Sequence, residues 1–196
     1  MSSAMISQTL QGAVLSITSN VLAQAITSYQ DKTPFSLDFT QVFRFALFSI
    51  LSNPPNILWQ SFLEDAFPTS LPASAPPTEK PKSKSAPPAH TETRTSKTNI
   101  LIKFALDQTV GALVNTLMFL AYISFVNAPR VPGTDVGALV LKECAERTWP
   151  MMKDGYKFWP AISLISFVWV PVDKRVVFGC SVGVLWGIYL SLAVRG

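Results

Sequence analysis

The sequence predicts an all-α integral membrane protein, a helical bundle of about four transmembrane helices plus an amphipathic or re-entrant segment. Three observations carry that expectation. The first charged residue is Asp31, further charge-free windows cover 45–63, 108–129 and 176–194, and composition changes abruptly over 68–98. Windows of 19 to 22 residues match the roughly 20 that a helix needs to cross hydrocarbon. A soluble helix keeps a charged face, because a chain of 196 residues has too little interior to hide a whole helical circumference. These windows lack such a face.

The first helix is predicted over about 5–29, rich in Ser, Thr, Asn and Gln that can bond carbonyls or neighbouring helices, so it suits a buried crossing or an interfacial one. It lacks the basic start and cleavage site of a secretory signal and the arginines of a mitochondrial presequence. Pro34 marks the connection, and Ser36 or Asp38 can cap the second helix. That helix carries Arg44 near its start and meets Asn53-Pro54-Pro55, where missing backbone donors predict a bend or break. Residues 1–67 form the first transmembrane hairpin.

Seven prolines among the 31 residues of 68–98, together with Ser, Thr and Lys, cannot bury enough apolar area to offset ordering. A disordered linker is expected there. Residues 99–196 form the C-terminal transmembrane region. Its first helix carries Lys103, within snorkelling reach of the interface, and Asp107 a turn deeper, which needs a polar environment. Pro129 and Pro132 end it. Over 134–157 charges mix with apolar residues, and Val136, Leu139, Val140 and Cys144 share one face, as in a membrane-parallel helix. The 157–172 block, punctuated by Pro160 and Pro171, is too short to count as a standard span, so crossing and re-entry both stay open. The last clear span is 176–194. Basic residues in the linker place it, and both termini of a four-span chain, on the cytosol-like side.

A net charge of +4 without zinc spacing or base-stacking aromatics argues against a nucleic-acid partner and for basic loops facing anionic lipid. Cys144 and Cys180 read as free thiols. The one histidine, His90, falls in the linker, and no catalytic constellation, metal set or cofactor motif is evident. A non-enzymatic protein is expected.

The ordered series Trp149, Trp159-Pro160, Phe167, Pro171, Arg175, Trp186 and Tyr189-Leu190-Ser191 resembles the 22-kilodalton peroxisomal membrane protein family, which has members in the inner mitochondrial membrane. Ser19 to Gln24, Asp38, Arg44, Trp59 and Asp107-Gln108 extend the likeness. Asn53, Ile57, Gln60, Leu113, Ser163, Ser166 and Gly187 depart from the family's usual residues, marking a divergent, fungal-like member. The resemblance implies a peroxisomal or mitochondrial inner-membrane protein concerned with solute permeability or with metabolite and redox homeostasis.

Six polar residues interrupt the apolar helices: Asn20, Gln24, Arg44, Asp107, Gln108 and Asn115. They can line a path for small hydrophilic solutes or form an interhelical network. Arg44 and Asp107 can meet as a hydrogen-bonded pair, and Asn20 and Gln24 share a face by their i,i+4 spacing. The tryptophans suit the lipid boundary or packing. Gly183 and Gly187 permit close helix approach, within the chain or in a homo-oligomer. Expected partners are therefore membrane lipids, small hydrophilic solutes and a second copy of the chain. The alternative is a structural or organising membrane protein whose linker binds a partner.

Overall fold

A computed structural model of the chain describes residues 3–72, 93–129 and 131–193, with side chains to 186. Its helices are α1 (Ser3–Gln30), α2 (Phe39–Ala66), α3 (Lys97–Leu106), a π turn (Asp107–Gly111), α4 (Ala112–Asn127), α5 (Val136–Gly155), α6 (Trp159–Trp169) and α7 (Val172–Ala193). The helix starts reflect local chemistry. Asp38, Ser96 and Asp135 each accept a hydrogen bond from the backbone N–H three residues on, satisfying a donor the first helical turn leaves free. Pro160 enters the first turn of α6, where its missing N–H costs nothing.

Helices α1 and α2 form an antiparallel hairpin: Ser16 Oγ donates to the Phe45 carbonyl at 3.1 Å, and Gln24 reaches the Asp38 backbone. The segment α3–π turn–α4 runs antiparallel to α2, with Lys103 opposite Glu64, Asp107 opposite Gln60, Asn115 opposite Asn56 and Asn127 opposite Arg44. Helix α5 packs along α4 and returns beside it, its end tied back where the Tyr156 hydroxyl donates to the Gln108 carbonyl at 2.6 Å. From there α6 continues along α3, Ser163 meeting Asp107 and Phe167 reaching Lys103. After Pro171 the chain reverses, and α7 runs antiparallel to α2, passing Glu64 with Arg175 and then Asn53 with Cys180.

This topology corrects several expectations. Helix α2 continues unbroken through Pro54 and Pro55. Its packing against α1 and α7 holds the segment helical despite the two missing donors. The 134–157 segment is not laid across the helix ends but runs beside α4, with Val136, Leu139, Val140 and Cys144 all half-buried. Because α5 and α6 together carry the chain back to the linker end, α7 sets out from that end. Its own end therefore lies opposite the start of α1. The linker's described ends are ordered as well: Ser70–Pro72 and Thr93–Thr95 form an antiparallel ribbon, Ser70 opposite Thr95, and α3 already begins at Lys97. The linker's middle, with His90, lies outside the described residues.

The bundle is turned inside out relative to a soluble fold. Among the described residues, thirty large apolar side chains are exposed against ten buried hydrophobic residues, far beyond the small patches a soluble monomer tolerates. Among the described residues, one continuous helix, Lys97–Asn127, is both long and apolar enough to cross a membrane. The chain is thus an all-α, multi-helix bundle with at least one segment able to span a bilayer.

Candidate functional site: polar clusters in an apolar bundle

The polar residues gather into separate layers along α2. At the linker end, Glu64 Oε2 accepts from Lys103 Nζ at 2.7 Å and lies 2.8 Å from Arg175 Nη1. Lys103 is fully buried and Arg175 nearly so, and both face the ring of buried Phe167, at 5.5 Å and 5.0 Å. Arg175 Nε also donates to the Val170 carbonyl at 3.0 Å, tying the α6–α7 turn to the cluster. Thr69 completes it: its N–H donates to Glu64 Oε1 at 2.7 Å and its hydroxyl lies 2.5 Å from Lys103 Nζ. Two cations thus share one carboxylate, on a floor of Leu63, Ile100 and Phe167. The sequence alone suggests a snorkelling Lys103. The pairing with Glu64 explains its burial instead, because a desolvated ammonium needs a carboxylate and a hydroxyl around it.

One turn further in, Asp107 accepts from Trp59 Nε1 at 3.3 Å, Gln60 Nε2 at 3.1 Å, Gln108 Nε2 at 3.3 Å and Ser163 Oγ. Four donors from three segments converge on this carboxylate, which supplies the polar environment its position demands. The π turn begins here, with the Ala112 N–H reaching back five residues to the Asp107 carbonyl. The extra residue rotates the succeeding helix by about 100°. Gln108 and Asn115, seven residues apart and so on one face of a regular helix, are thereby separated: Gln108 stays with Asp107, while Asn115 accepts from Asn56 Nδ2 at 2.8 Å. The Asn56–Asn115 bond lies in a groove of about 330 Å³ between α2 and α4.

The expected Arg44–Asp107 pair does not form. Asp107 meets α2 at Trp59 and Gln60, whereas Arg44 lies fifteen residues earlier, about 22 Å along the helix at 1.5 Å per residue. Arg44 instead donates to Asn127 Oδ1 at 2.8 Å, and the Tyr122 hydroxyl caps its carbonyl at 2.6 Å. Gln24 does bond Asn20, at 2.8 Å, but turns its other contacts to the Asp38 backbone. The six polar residues thus fall into separate groups, in which Asn20 touches Gln24 and Asp107 touches Gln108. A further group has no counterpart among the sequence expectations. Where α1, α2 and α7 cross, buried Asn53 donates to Ser49 Oγ at 3.0 Å, and its Oδ1 lies 3.8 Å from Cys180 Sγ. Gly12 makes that crossing possible, since a Cβ there would stand 2.1 Å from Asn53 Nδ2. The Asn53 that departs from the family pattern is thereby explained as the pin of the crossing.

Other signature residues are structural in placement. Trp186 stacks on Phe158 at 4.7 Å, Trp159 packs near Gly183, and Trp149 stands exposed beside Lys153. Tyr189, Leu190 and Ser191 lie on α7, and their side chains fall outside the described residues. A cavity of about 500 Å³ lies between the starts of α1 and α7, bordered by Gln8, Gln11, Asp173 and Lys174. The buried Gln8 Oε1 at its wall has no hydrogen-bond partner. Among the described residues no three His, Cys, Asp or Glu side chains gather as metal ligands.

A profile of the Mpv17 / PMP22 family matches residues 138–191, from α5 through α7. Over these residues the chain is similar to the Mpv17/PMP22 family. An uncharacterised protein of Schizosaccharomyces pombe is 24% identical over 93% of this chain and 79% of its own. The peroxisomal membrane protein PMP22 of Arabidopsis thaliana is 30% identical over 47% of this chain and 46% of its own length, and a PXMP2/4 family protein of Dictyostelium discoideum is 50% identical over 22% and 24%. The chain thus spans less than half the length of the latter two relatives. No solved structure matches it. These relationships support an organelle-membrane location and a membrane-associated role.

Proposed function

We propose that the chain forms part of a conduit for small hydrophilic solutes across a peroxisomal or mitochondrial inner membrane. A membrane frame can be drawn from α2. Arg44 and Glu64 bound its charge-free stretch, twenty residues apart, which corresponds to about 30 Å of helix and equals the usual hydrocarbon thickness. In that frame the Glu64 cluster lies at one interface, Arg44 with Asn127 at the other, and Asp107 one turn inside.

The observation that carries the reading is α5. It runs beside α4 from the Asn127 level to the Gln108 level, and it bears Lys142, Glu143, Glu146, Arg147, Lys153 and Asp154. The Glu143–Arg147 ion pair is 3.2 Å long, and the Arg147 side chain stays 59% exposed. A charged side chain deep in lipid costs about 3 kcal/mol, so six of them oppose burial by up to about 18 kcal/mol before ion pairing, comparable to a domain's whole stability. Such a face therefore meets water. The cavity bordered by Gln8, Gln11, Asp173 and Lys174 adds polar groups for a hydrated solute.

The test is release of uncharged polyols of increasing size from vesicles holding the purified, correctly oriented chain. Faster release than from empty vesicles is expected, with the size cut-off shifted when Arg147 is replaced by Leu. Release no faster than from empty vesicles rejects the conduit. A second reading, an organising protein with a partner-binding linker, draws on the ribbon that gathers both linker ends beside Glu64. It predicts that deleting 73–92 abolishes partner capture and leaves release unchanged.

A further inference from the structure

The cavity between the starts of α1 and α7 stands apart from the polar layers along α2. The two helices run parallel there, and a Cβ on Gly12 would lie 3.3 Å from Cys180 Sγ, so Gly12 and Cys180 are level. One turn back along each helix, Gln8 is level with the second turn of α7, and Asp173 and Lys174 lie in the turn before it. The cavity holds about 500 Å³, room for a small organic ion. Gln8 is only 9% exposed, and its Oε1 at the cavity wall accepts no hydrogen bond. A buried acceptor without a donor is costly, and the soft terminal torsion of glutamine lets Oε1 turn to a donor in the cavity. At the border Asp173 and Lys174 offer opposite charges, and among the described residues neither has an ion-pair partner. Lys174 stands in the first turn of α7, where the helix dipole favours an anion. Val177 and Phe178 add apolar wall. These groups exclude the simpler ligands. A bare anion meets Asp173 and leaves Gln8 Oε1 unpaired, a bare cation meets Lys174, and a quaternary ammonium has no N–H to donate.

We propose that this cavity binds a zwitterion carrying a primary ammonium a few bonds from a phosphate or carboxylate, the ammonium donating to Gln8 Oε1 and Asp173 and the anion resting on Lys174 and the first turn of α7. This rests on the conduit reading above and narrows it, naming the chemistry that the cavity selects. The N–H donors are the discriminating feature, since methylating the ammonium removes them all. In the membrane frame the cavity's border lies at the level of the Glu64 cluster, because Arg175, which pairs with Glu64, follows Lys174 directly. The same chemistry is therefore within reach from two sources, a free aminoalkyl phosphate and the headgroup of phosphatidylethanolamine.

The experiment titrates the full chain in detergent micelles with phosphoethanolamine and with phosphocholine, which differ only in the N-methyl groups, by isothermal calorimetry. Phosphoethanolamine should bind about tenfold more tightly. Gln8→Leu and Asp173→Asn should each shrink that ratio, and Lys174→Gln should weaken both ligands alike. Binding of the two with equal affinity, or a ratio unchanged in both Gln8→Leu and Asp173→Asn, overturns the proposal. Gln8→Leu deletes an unpaired acceptor, so by tryptophan fluorescence it should unfold no earlier than the unsubstituted chain, which separates loss of binding from loss of fold. The second arm is native mass spectrometry of the chain extracted from vesicles of equal parts phosphatidylethanolamine and phosphatidylcholine. Retention of phosphatidylethanolamine that Gln8→Leu abolishes, with no binding of the free ligand, assigns the site to lipid, and binding of the free ligand without lipid preference assigns it to a solute. No amine preference in either arm overturns the proposal. Polyol release separates the two readings: release without amine preference removes this site and keeps the conduit, whereas amine preference without release keeps the site and removes the conduit.

Discussion

Replacing Glu64 by Gln should destabilise the bundle far more than replacing Lys103 by Met, although each removes one charge from the same cluster. The cluster holds one carboxylate and two cations, so its net charge is +1. Lys103→Met lowers that to zero, leaves the Glu64–Arg175 pair in place and sets an apolar chain against Phe167. Glu64→Gln raises it to +2. The two cations contact the same oxygen at 2.7 Å and 2.8 Å, so they stand within about 5.5 Å of each other. At an effective dielectric constant near 20, their unscreened repulsion is about 3 kcal/mol. Breaking a buried pair generally costs about 3–5 kcal/mol. Lost charge-assisted hydrogen bonds should cost Lys103→Met about 1–2 kcal/mol. Unfolding in mixed detergent micelles, monitored by tryptophan fluorescence, measures both. The double variant should recover about 2 kcal/mol relative to Glu64→Gln alone, because it removes one of the stranded cations. Equal losses in the two single variants, or no recovery in the double, would refute the assignment of two cations to one carboxylate.

Asp107→Ala strands four donors and should cost about 2–4 kcal/mol by the same unfolding measurement, with Trp59→Phe costing about 1 kcal/mol. Gly12→Ala forces a methyl onto the Asn53 amide and should cost about 1–3 kcal/mol, most of it regained when Asn53 is also shortened to Ala. Thr69→Val removes the hydroxyl shared by Lys103 and Glu64 and should cost about 1–2 kcal/mol. Proteolysis at the ribbon should accelerate in that variant, and an unchanged rate would show that Thr69 does not hold the linker root.

Much of the fold was legible in the sequence because charge-free length and capping are local properties. Asp38 caps α2 as its side-chain chemistry predicts, α1 extends over nearly the expected residues, and Pro171 separates α6 from α7. The side chains of α5 that face α4 were visible in their spacing. Partners distant in sequence were not. Lys103 and Arg175 lie 72 positions apart and meet only through Glu64, whose role no local pattern announces. Arg44 and Asp107 seemed matched because each was the isolated charge of its helix, but an antiparallel pairing joins residues at equal depth, not of opposite sign. The π turn gave no signal either, since it depends on packing around Asp107 and Gly111 rather than on composition. Gly111 hints at it in retrospect, with Trp59 Nε1 2.9 Å from where a Cβ would be.

The ribbon at the foot of α2 and α3 has a mechanical meaning. Because Ser70–Pro72 and Thr93–Thr95 are laced together and anchored through Thr69, tension or bulk added to the intervening stretch is absorbed at the knot before it reaches the helices. Doubling such a stretch costs only about 0.6 kcal/mol in closure entropy. The stretch can therefore diverge in length and composition, or host an inserted reporter, while the bundle beneath keeps its geometry.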